Sequence, residues 1–529
     1  MNRFINRVNR RISFGNAASL LVAVALVGQV LGFLRNRLIS TNFTVTDPGS
    51  SDAFFVAFMI PDFFYFTIAA GALGVAFMPY IATHVNSGDR RQVWRITSSL
   101  MNILAITMFA IGIIILVFAD PLVRLLAPNL QPENFEQAVT IMRLISMNPL
   151  FFSLSGIITS VQQSYGRFFF FAIGPLVYNL TIIASIFLFK DTLGVVGLGW
   201  GALLGALLAL GTAFLGVIGL GFCYYPKIAW KNTDFKGVLR QLPSRSLDQG
   251  IDQVNSIVEI NRAQALGVGP VSYYNFALTL HNVPIMLLGT SLATAAFPRF
   301  TERLAQGRHD LFRKDFLKIL RIMIWLTMPT IVVAYFARGY LARLIFGDVA
   351  PEVALIFGYL TVAILFRIIY SLVSRYFYAQ KDTRTPLYVS IFAIALNIYL
   401  AFTLSRPDSY GISGLALAQS IVAVTEVLIL SVIMVKRDPK LLDPKFLSGL
   451  LRILSVTGFA IVAAFLAVSI FPLLATDRGF VSLVAKLSFI TAATFGVYVG
   501  ISLLFSLEEA KPVIRRAKAM LLKPIRVYR

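Results

Sequence analysis

The sequence predicts an all-α polytopic membrane protein that crosses the bilayer about fourteen times. Three observations support this fold class: 57% of the 529 residues are hydrophobic, only 14% are charged, and the mean hydropathy is +0.77. Soluble domains carry about 25% charged residues. Apolar runs recur from Ala17 to Phe505 without a polar domain between them, so we expect lipid to surround most of the chain.

Fourteen windows of the chain are long and apolar enough to span a bilayer. A helix needs about 20 mainly apolar residues to cross about 30 Å of hydrocarbon. The predicted spans are residues 17–38, 53–82, 97–119, 142–163, 171–190, 195–222, 247–267, 271–297, 319–337, 354–378, 385–405, 411–435, 447–473 and 480–506. The span at 247–267 is the least apolar. Gly28 and Gly32 in the first span, and Gly201 and Gly205 in the sixth, have the small-residue spacing that is typical of closely packed membrane helices.

Basic residues concentrate in every second connection between the predicted spans. The even-numbered connections carry them, and examples are Arg90, Lys227, Arg299, Lys381 and Lys436. In the odd-numbered connections acidic residues offset the basic ones. Because basic residues are retained on the cytoplasmic side, we expect both termini in the cytoplasm. The net charge of +22 then reflects membrane topology and does not indicate nucleic-acid binding.

The sequence offers little for redox, metal or enzyme chemistry. Its single cysteine, Cys223, excludes a disulfide within the chain, and His84, His281 and His309 are too scattered for metal-ligand spacing. The connections between spans are short and carry no nucleophile, metal cluster or phosphate loop. We therefore expect no cofactor and no enzymatic activity.

Short segments recur along the chain at a nearly constant separation. Two pairs are 219 positions apart and a third is 217 apart: LVRLL at 122–126 with LARLI at 341–345, AFMP at 76–79 with AAFP at 295–298, and GVVGL at 194–198 with GISGL at 411–415. One such match means little, but three at almost one offset indicate an internal duplication. The offset contains six predicted helices, an even number, so both copies cross the membrane in the same direction.

The duplication predicts the domain organisation. We expect a six-helix bundle at 1–222, a cytoplasmic linker at 223–246 and a second six-helix bundle at 247–437. Residues 438–529 form two extra helices and a basic cytoplasmic tail. Two bundles around a cleft that opens to each side in turn are typical of transporters.

The least apolar span carries a polar stripe. Asp248, Asp252, Asn255, Glu259 and Arg262 follow one another at steps of 4, 3, 4 and 3, which places them on one face of a helix. We predict that this face lines a cavity, where Asn255, Glu259 and Arg262 bind a substrate headgroup. Asp248, Asp252 and Glu259 are then candidates for coupling or gating through H⁺ or Na⁺. The alternative is a structural seam in which Glu259 and Arg262 satisfy each other.

A second candidate lies at the end of the first span. The guanidinium of Arg35 suits a pair of phosphate oxygens, although Arg35 and Arg37 could both simply extend to the membrane interface. Asp62, Arg367 and Glu426 are further ionisable residues at membrane depth. Such residues either serve function or form satisfied structural pairs.

Six motifs in the chain resemble those of the MurJ/MviN lipid II flippase family, in family order and over nearly the whole length. They are GQVLGFLR at 28–35, SDAFFVAF at 51–58, GALGVAFMP at 71–79, LVRLLAP at 122–128, SYGRF at 164–168 and DTRTP at 382–386. The resemblance implies fourteen helices, a central cavity and a location in the bacterial inner membrane. It also implies transfer of undecaprenyl-pyrophosphate-linked peptidoglycan precursor to the outer leaflet, driven by a proton gradient or the membrane potential.

The chain departs from the family at most of the basic positions that the resemblance places in the cavity. Arg35 is kept, and the acidic position before the AFF run is kept as Asp52. Gln29, Tyr65 and Thr279 stand where the family usually has arginines. Losing these cations should weaken diphosphate binding unless another residue, such as Arg262, replaces them.

The first hypothesis for function is therefore a lipid-linked oligosaccharide flippase that moves lipid II by alternating access. Its predicted substrate-binding residues are Arg35, Asp52, Asn255, Glu259 and Arg262. Three alternatives stay open at this point: a flippase for another polyprenyl-linked saccharide, a cation-coupled exporter of amphipathic solutes, and a scaffold protein that transports nothing.

Overall fold

The computed structural model describes residues 14–43, 50–70, 77–267, 269–441, 443–474, 476–477 and 479–510. Within these ranges the secondary structure is helical and contains no strand. The chain divides into two compact units, residues 1–275 and 276–529. This confirms the predicted all-α fold class. The boundaries predicted for the two six-helix bundles stay a prediction.

The first unit contains ten complete helices in its described part. They are α1 (Phe14–Asn42), α2 (Ser51–Phe64), α3 (Met78–Ser87), α4 (Arg90–Val117), α5 (Ala119–Leu126), α6 (Pro132–Ile145), α7 (Asn148–Ser164), α8 (Phe169–Phe189), α9 (Val196–Val217) and α10 (Thr233–Gln264). A π-helical turn, Tyr65–Ala70, extends α2. The boundary between the units falls inside the next helix, α11 (Pro270–Pro284).

The second unit continues with eight helices in its described part. They are α12 (Ser291–Ala305), α13 (His309–Phe336), α14 (Arg338–Phe346), α15 (Ala350–Ala379), α16 (Arg384–Leu404), α17 (Ile412–Arg437), α18 (Pro444–Ile470) and α19 (Phe480–Leu504). A second π-helical turn, Ile285–Thr290, joins α11 to α12.

Twelve helical segments of the described residues are long and apolar enough to cross a membrane. Each coincides with one predicted span. Of the two other predicted spans, 17–38 lies within α1, and 247–267 overlaps α10, which ends at Gln264. Since α10 begins at Thr233, the second half of the predicted linker 223–246 is helical.

The order of elements repeats between the units, which supports the internal duplication. Helices α4 and α13 both have 28 residues, and each is followed by a short helix of 8 or 9 residues. The recurring segments at 122–126 and 341–345 lie in these short helices, α5 and α14. The two π-helical turns start at Tyr65 and Ile285, a separation close to that of the sequence matches.

Small residues bring α9 against α8 in the first unit. A Cβ added at Gly205 would lie 2.8 Å from the ring of Tyr178, and one added at Gly201 would overlap Ser185. The predicted close packing is confirmed at this pair but not at Gly28 and Gly32, where a Cβ would make only an ordinary contact with Leu176 or none within 4 Å among the described residues. Because α9 approaches so closely, it fixes the position of Tyr178, which belongs to the site described next.

Candidate substrate-binding site

The guanidinium of Arg35 is bonded to neutral amides. Its Nη1 donates a hydrogen bond to Asn179 Oδ1 on α8 at 3.0 Å, while Nε and Nη2 donate to Asn36 Oδ1 at 3.3 and 3.2 Å. Asn36 is buried, and Asn179 is held in turn by a bond from its Nδ2 to the carbonyl of Pro175 at 3.1 Å. No carboxylate of the described residues forms an ion pair with Arg35, so its charge is not neutralised.

Tyr178 connects this cation to a group that contains one carboxylate and two further aromatic rings. Tyr178 interacts electrostatically with both Arg35 and Asp62, and Tyr65 interacts with Asp62. The ring of Phe152 lies between the two tyrosines, with centroids 5.6 Å from Tyr65 and 5.2 Å from Tyr178. We call these five residues, together with Asn36 and Asn179, the Arg35 cluster.

Asp62 is the unusual member of the Arg35 cluster. It is half-buried, it follows Pro61 in α2, and no described group donates a hydrogen bond to its carboxylate. An ionised carboxylate at membrane depth is stable only when it is paired or hydrated. Asp62 is therefore suited to bind and release a proton.

Asp52, the acidic residue at the start of α2, has a different environment. Its side chain is fully buried and accepts hydrogen bonds from the backbone N–H groups of Gly269 and Ser272 at 2.7 and 2.8 Å, and from Ser272 Oγ at 2.5 Å. These donors lie at the N-terminus of α11, where an acidic group satisfies free backbone amides. In this conformation Asp52 joins α2 to α11, and its role in substrate binding stays a prediction.

The polar stripe of α10 is described in part. Glu259 is 4% exposed, and its carboxylate accepts hydrogen bonds from Asn255 Nδ2 and Tyr274 Oη, both at 3.0 Å. Asn255 and Arg262 are half-buried. The side chains of Asp248 and Asp252 lie outside the described part of the structure. Helix α10 packs on α2 and its π-helical turn, so Glu259 is enclosed by protein in this conformation.

One aromatic residue of the Arg35 cluster stands at a position where the resemblance implies a cation. Tyr65, at a position where the resemblance implies an arginine, begins the π-helical turn and packs its ring near Phe152. Gln29 is a half-buried residue of α1. Of the positions in the first unit where the resemblance implies a basic residue, Arg35 is therefore the one that is charged.

The second unit also contains an arginine at membrane depth, but this one is paired. Arg367 on α15 lies 3.1 Å from Glu426 on α17, and its Nη2 donates to Gln419 Oε1 at 3.2 Å. Glu426 is 2% exposed and also accepts a hydrogen bond from Ser390 Oγ on α16 at 2.8 Å. These contacts tie three helices together. Of the two possibilities left open for ionisable residues at membrane depth, these contacts favour a satisfied structural pair for Arg367 and Glu426.

Sequence reasoning singled out Arg35 but not its partners. Asn179 and Tyr178 are adjacent polar residues in a largely apolar helix, and this pair is the signal that could have identified them. Nothing in the spacing connects α8 with α1, because the two positions are 144 residues apart.

The helices, the duplicated element order and the charged groups at membrane depth define a multi-pass membrane transporter. A sequence model of the family described as "Lipid II flippase MurJ" matches residues 47–485. The chain belongs to the MurJ family.

Individual relatives and a solved structure agree with this assignment. The chain is 24% identical to a probable lipid II flippase MurJ of Borreliella burgdorferi, over 80% of this chain and 84% of the relative. It is 26% identical to the probable lipid II flippase MurJ of Rhizobium meliloti, over 85% and 87%. A solved structure named "Lipid II flippase MurJ, inward closed conformation" has a similar fold, with a TM-score of 0.76, 22% identity and coverage of 92% of this chain and 98% of that one.

Proposed function

We propose that this protein is a lipid II flippase of the bacterial inner membrane, with both termini in the cytoplasm, and that Arg35 binds the pyrophosphate of its substrate. The observation that carries the proposal is the Arg35 guanidinium, held in place by neutral amides in a chain of the MurJ family. The family match supports this function over an exporter of amphipathic solutes or a scaffold.

The hydrogen bonds of Arg35 suit it to an anionic ligand. Arginine has five N–H donors. Within the described residues three of them bond to Asn36 and Asn179, so two remain for phosphate oxygens. The amides orient the guanidinium without neutralising it, and an oriented cation loses little entropy when it binds phosphate.

Asp62 supports a proposal for coupling. Asp62 and Arg35 share Tyr178 as an electrostatic neighbour, so a diphosphate bound at Arg35 changes the field at the carboxylate. A protonated Asp62 favours the anionic substrate, whereas an ionised Asp62 opposes it. Coupling through Asp248, Asp252 or Glu259 remains a further prediction, with H⁺ or Na⁺ as the ion.

The test is complementation of a strain depleted of its own lipid II flippase. We expect the wild-type chain to restore growth, and we expect R35A to reduce rescue and lipid II translocation in proteoliposomes by about 100-fold, because it removes charge-assisted bonds to the diphosphate. R35K should retain part of the activity.

The matched control is R91A, which removes an exposed arginine outside the Arg35 cluster. Membrane insertion and detergent stability of each variant are measured in parallel. Failure of the well-inserted wild-type chain to rescue would refute the lipid II assignment. Rescue by R35A equal to that of the wild type would instead refute the role of Arg35.

A further inference from the structure

A basic cavity lies at one end of the second unit, far along the chain from the Arg35 cluster. Its volume is about 520 Å³, within the range of about 300–1,000 Å³ that is usual for small-molecule sites. Lys314, Lys318 and Arg321 of α13 line it, and so do Lys445 and Arg452 of α18. The segment 506–509, which follows α19, closes the third side. The cavity therefore lies where three membrane-spanning helices begin or end.

Four of the five cations in the wall are available to a ligand. In the described part of the chain, the side chains of Lys314, Lys318, Lys445 and Arg452 form no hydrogen bond or ion pair. Retention of basic residues on the cytoplasmic side explains why cations are frequent at this level of the membrane. It does not explain why cations from two helices converge on one concave site.

The fifth cation forms the floor of the cavity. Arg321 is 16% exposed and pairs with Glu509, which is 3% exposed. Its Nη1 also reaches the Lys445 carbonyl at 3.5 Å. Arg321 Nε is buried and has no hydrogen-bond acceptor among the described residues. Gly449 makes this position possible, because a Cβ there would lie 2.6 Å from Arg321 Nε.

The acidic residues in the wall leave the site basic. Asp443 is engaged as the cap of α18, where its Oδ1 accepts a hydrogen bond from the Lys445 N–H at 2.9 Å. Glu509 is engaged by Arg321, and Glu508 is exposed. The following segment, 511–529, has seven basic residues and no acidic one, so its charge does not complement the cavity.

We propose that this cavity binds the phosphate of an anionic glycerophospholipid headgroup. A phosphodiester presents the negative charge and the oxygen acceptors that several convergent cations require. The position at the ends of the spans is the depth at which headgroups lie. Basic pockets between membrane helices on the cytoplasmic side recognise such lipids. The ligand is a lipid held beside α13, α18 and α19, and it is distinct from the transported substrate.

The experiment measures lipid retention by native mass spectrometry on the purified full-length protein. Phosphatidylglycerol and phosphatidylcholine are added separately to protein in an uncharged detergent. We expect one phosphatidylglycerol to be retained at about a tenfold lower lipid concentration than phosphatidylcholine. K318Q/R452Q should need about tenfold more phosphatidylglycerol, since it loses two charge-assisted contacts but no internal ion pair.

The matched control is K231Q/K436Q, which removes the same charge from exposed lysines outside the cavity and should retain phosphatidylglycerol like the wild type. Equal retention by the two double variants would refute the site, and so would equal retention of the two lipids by the wild type. Competition with inorganic phosphate shows whether the site binds a lipid phosphate or free phosphate. If inorganic phosphate displaces the lipid when sodium chloride of the same ionic strength does not, the site takes free phosphate and the lipid assignment is wrong.

Discussion

The two units each place an arginine at membrane depth, and the two arginines have different environments. Arg367 lies against a buried carboxylate, Glu426, and a network of polar side chains surrounds the pair. Within the described residues, Arg35 donates hydrogen bonds only to amide oxygens, and the carboxylate in its cluster, Asp62, accepts none. The comparison shows that depth alone does not identify a binding residue. What distinguishes the two is whether the protein itself neutralises the charge.

The largest effect on stability is expected from removing the cation of the Arg367–Glu426 pair. R367M leaves Glu426 as a buried carboxylate without its cation, so we expect a loss of about 3–5 kcal/mol in the free energy of unfolding. The double variant R367M/E426Q should recover most of that loss, because it removes both charges. Denaturation in detergent measures both. If the double variant were as unstable as R367M, the pair would not be the source of the stability.

A smaller effect should follow from giving Arg35 a carboxylate partner, like the one that Arg367 has. N179D places a carboxylate at 3.0 Å from Arg35, where an amide oxygen now lies. We expect about a tenfold or greater loss of lipid II translocation with unchanged or increased thermal stability, because the new pair competes with the diphosphate. N129D, at an exposed position, is the control. Full activity of N179D would show that the neutral environment of Arg35 has no function.

The smallest effect concerns an ion pair at the water-exposed end of the helices that carry Glu426 and Ser390. Asp382 accepts hydrogen bonds from Arg437 and Thr385. Burial acts to raise the pKa of Asp382, but these bonds outweigh it and lower the pKa from 3.8 to about 2. A lowered folded-state pKa stabilises the fold above about pH 4, and that contribution is lost as the pH falls toward 2.

Because Arg437 is 47% exposed, solvent screening reduces this contribution to about 1 kcal/mol. D382N should therefore be less stable than the wild type by about this amount at pH 7, and the difference should shrink between pH 4 and pH 2. Unfolding in detergent at several pH values measures it. A difference that is constant over this range would mean that ionisation of Asp382 does not contribute.

The sequence predicts the helices better than it predicts the contacts between them. Twelve predicted spans coincide with helices that meet the length and apolarity of a membrane span, because apolar length is a local property. The duplication also follows from the sequence, since both copies keep their element order. The identity of Arg367 and Glu426 as partners does not, because they are 59 residues apart and no periodicity connects them.

The Arg35 cluster illustrates the same limit. A guanidinium at the end of α1 is visible in the sequence, but its neutral partners come from α8, and Tyr178 is fixed by the close approach of α9 at Gly205. The predicted role of Asp52 in substrate binding stays a prediction, and its contacts at the N-terminus of α11 were not visible in the sequence. Two of its donors there are backbone amides, and a sequence does not show which backbone groups lack partners.

The π-helical turn after α2 has a consequence for motion. Such a turn holds one more residue than a regular turn, so moving it along the helix by one residue rotates the intervening side chain by about 100°. Tyr65 begins this turn, three residues after Asp62. A register shift would swing the tyrosine away from Phe152 while the carboxylate stayed in place. The π-helical turn thus allows Tyr65 to rotate at one side of the Arg35 cluster while α2 stays helical.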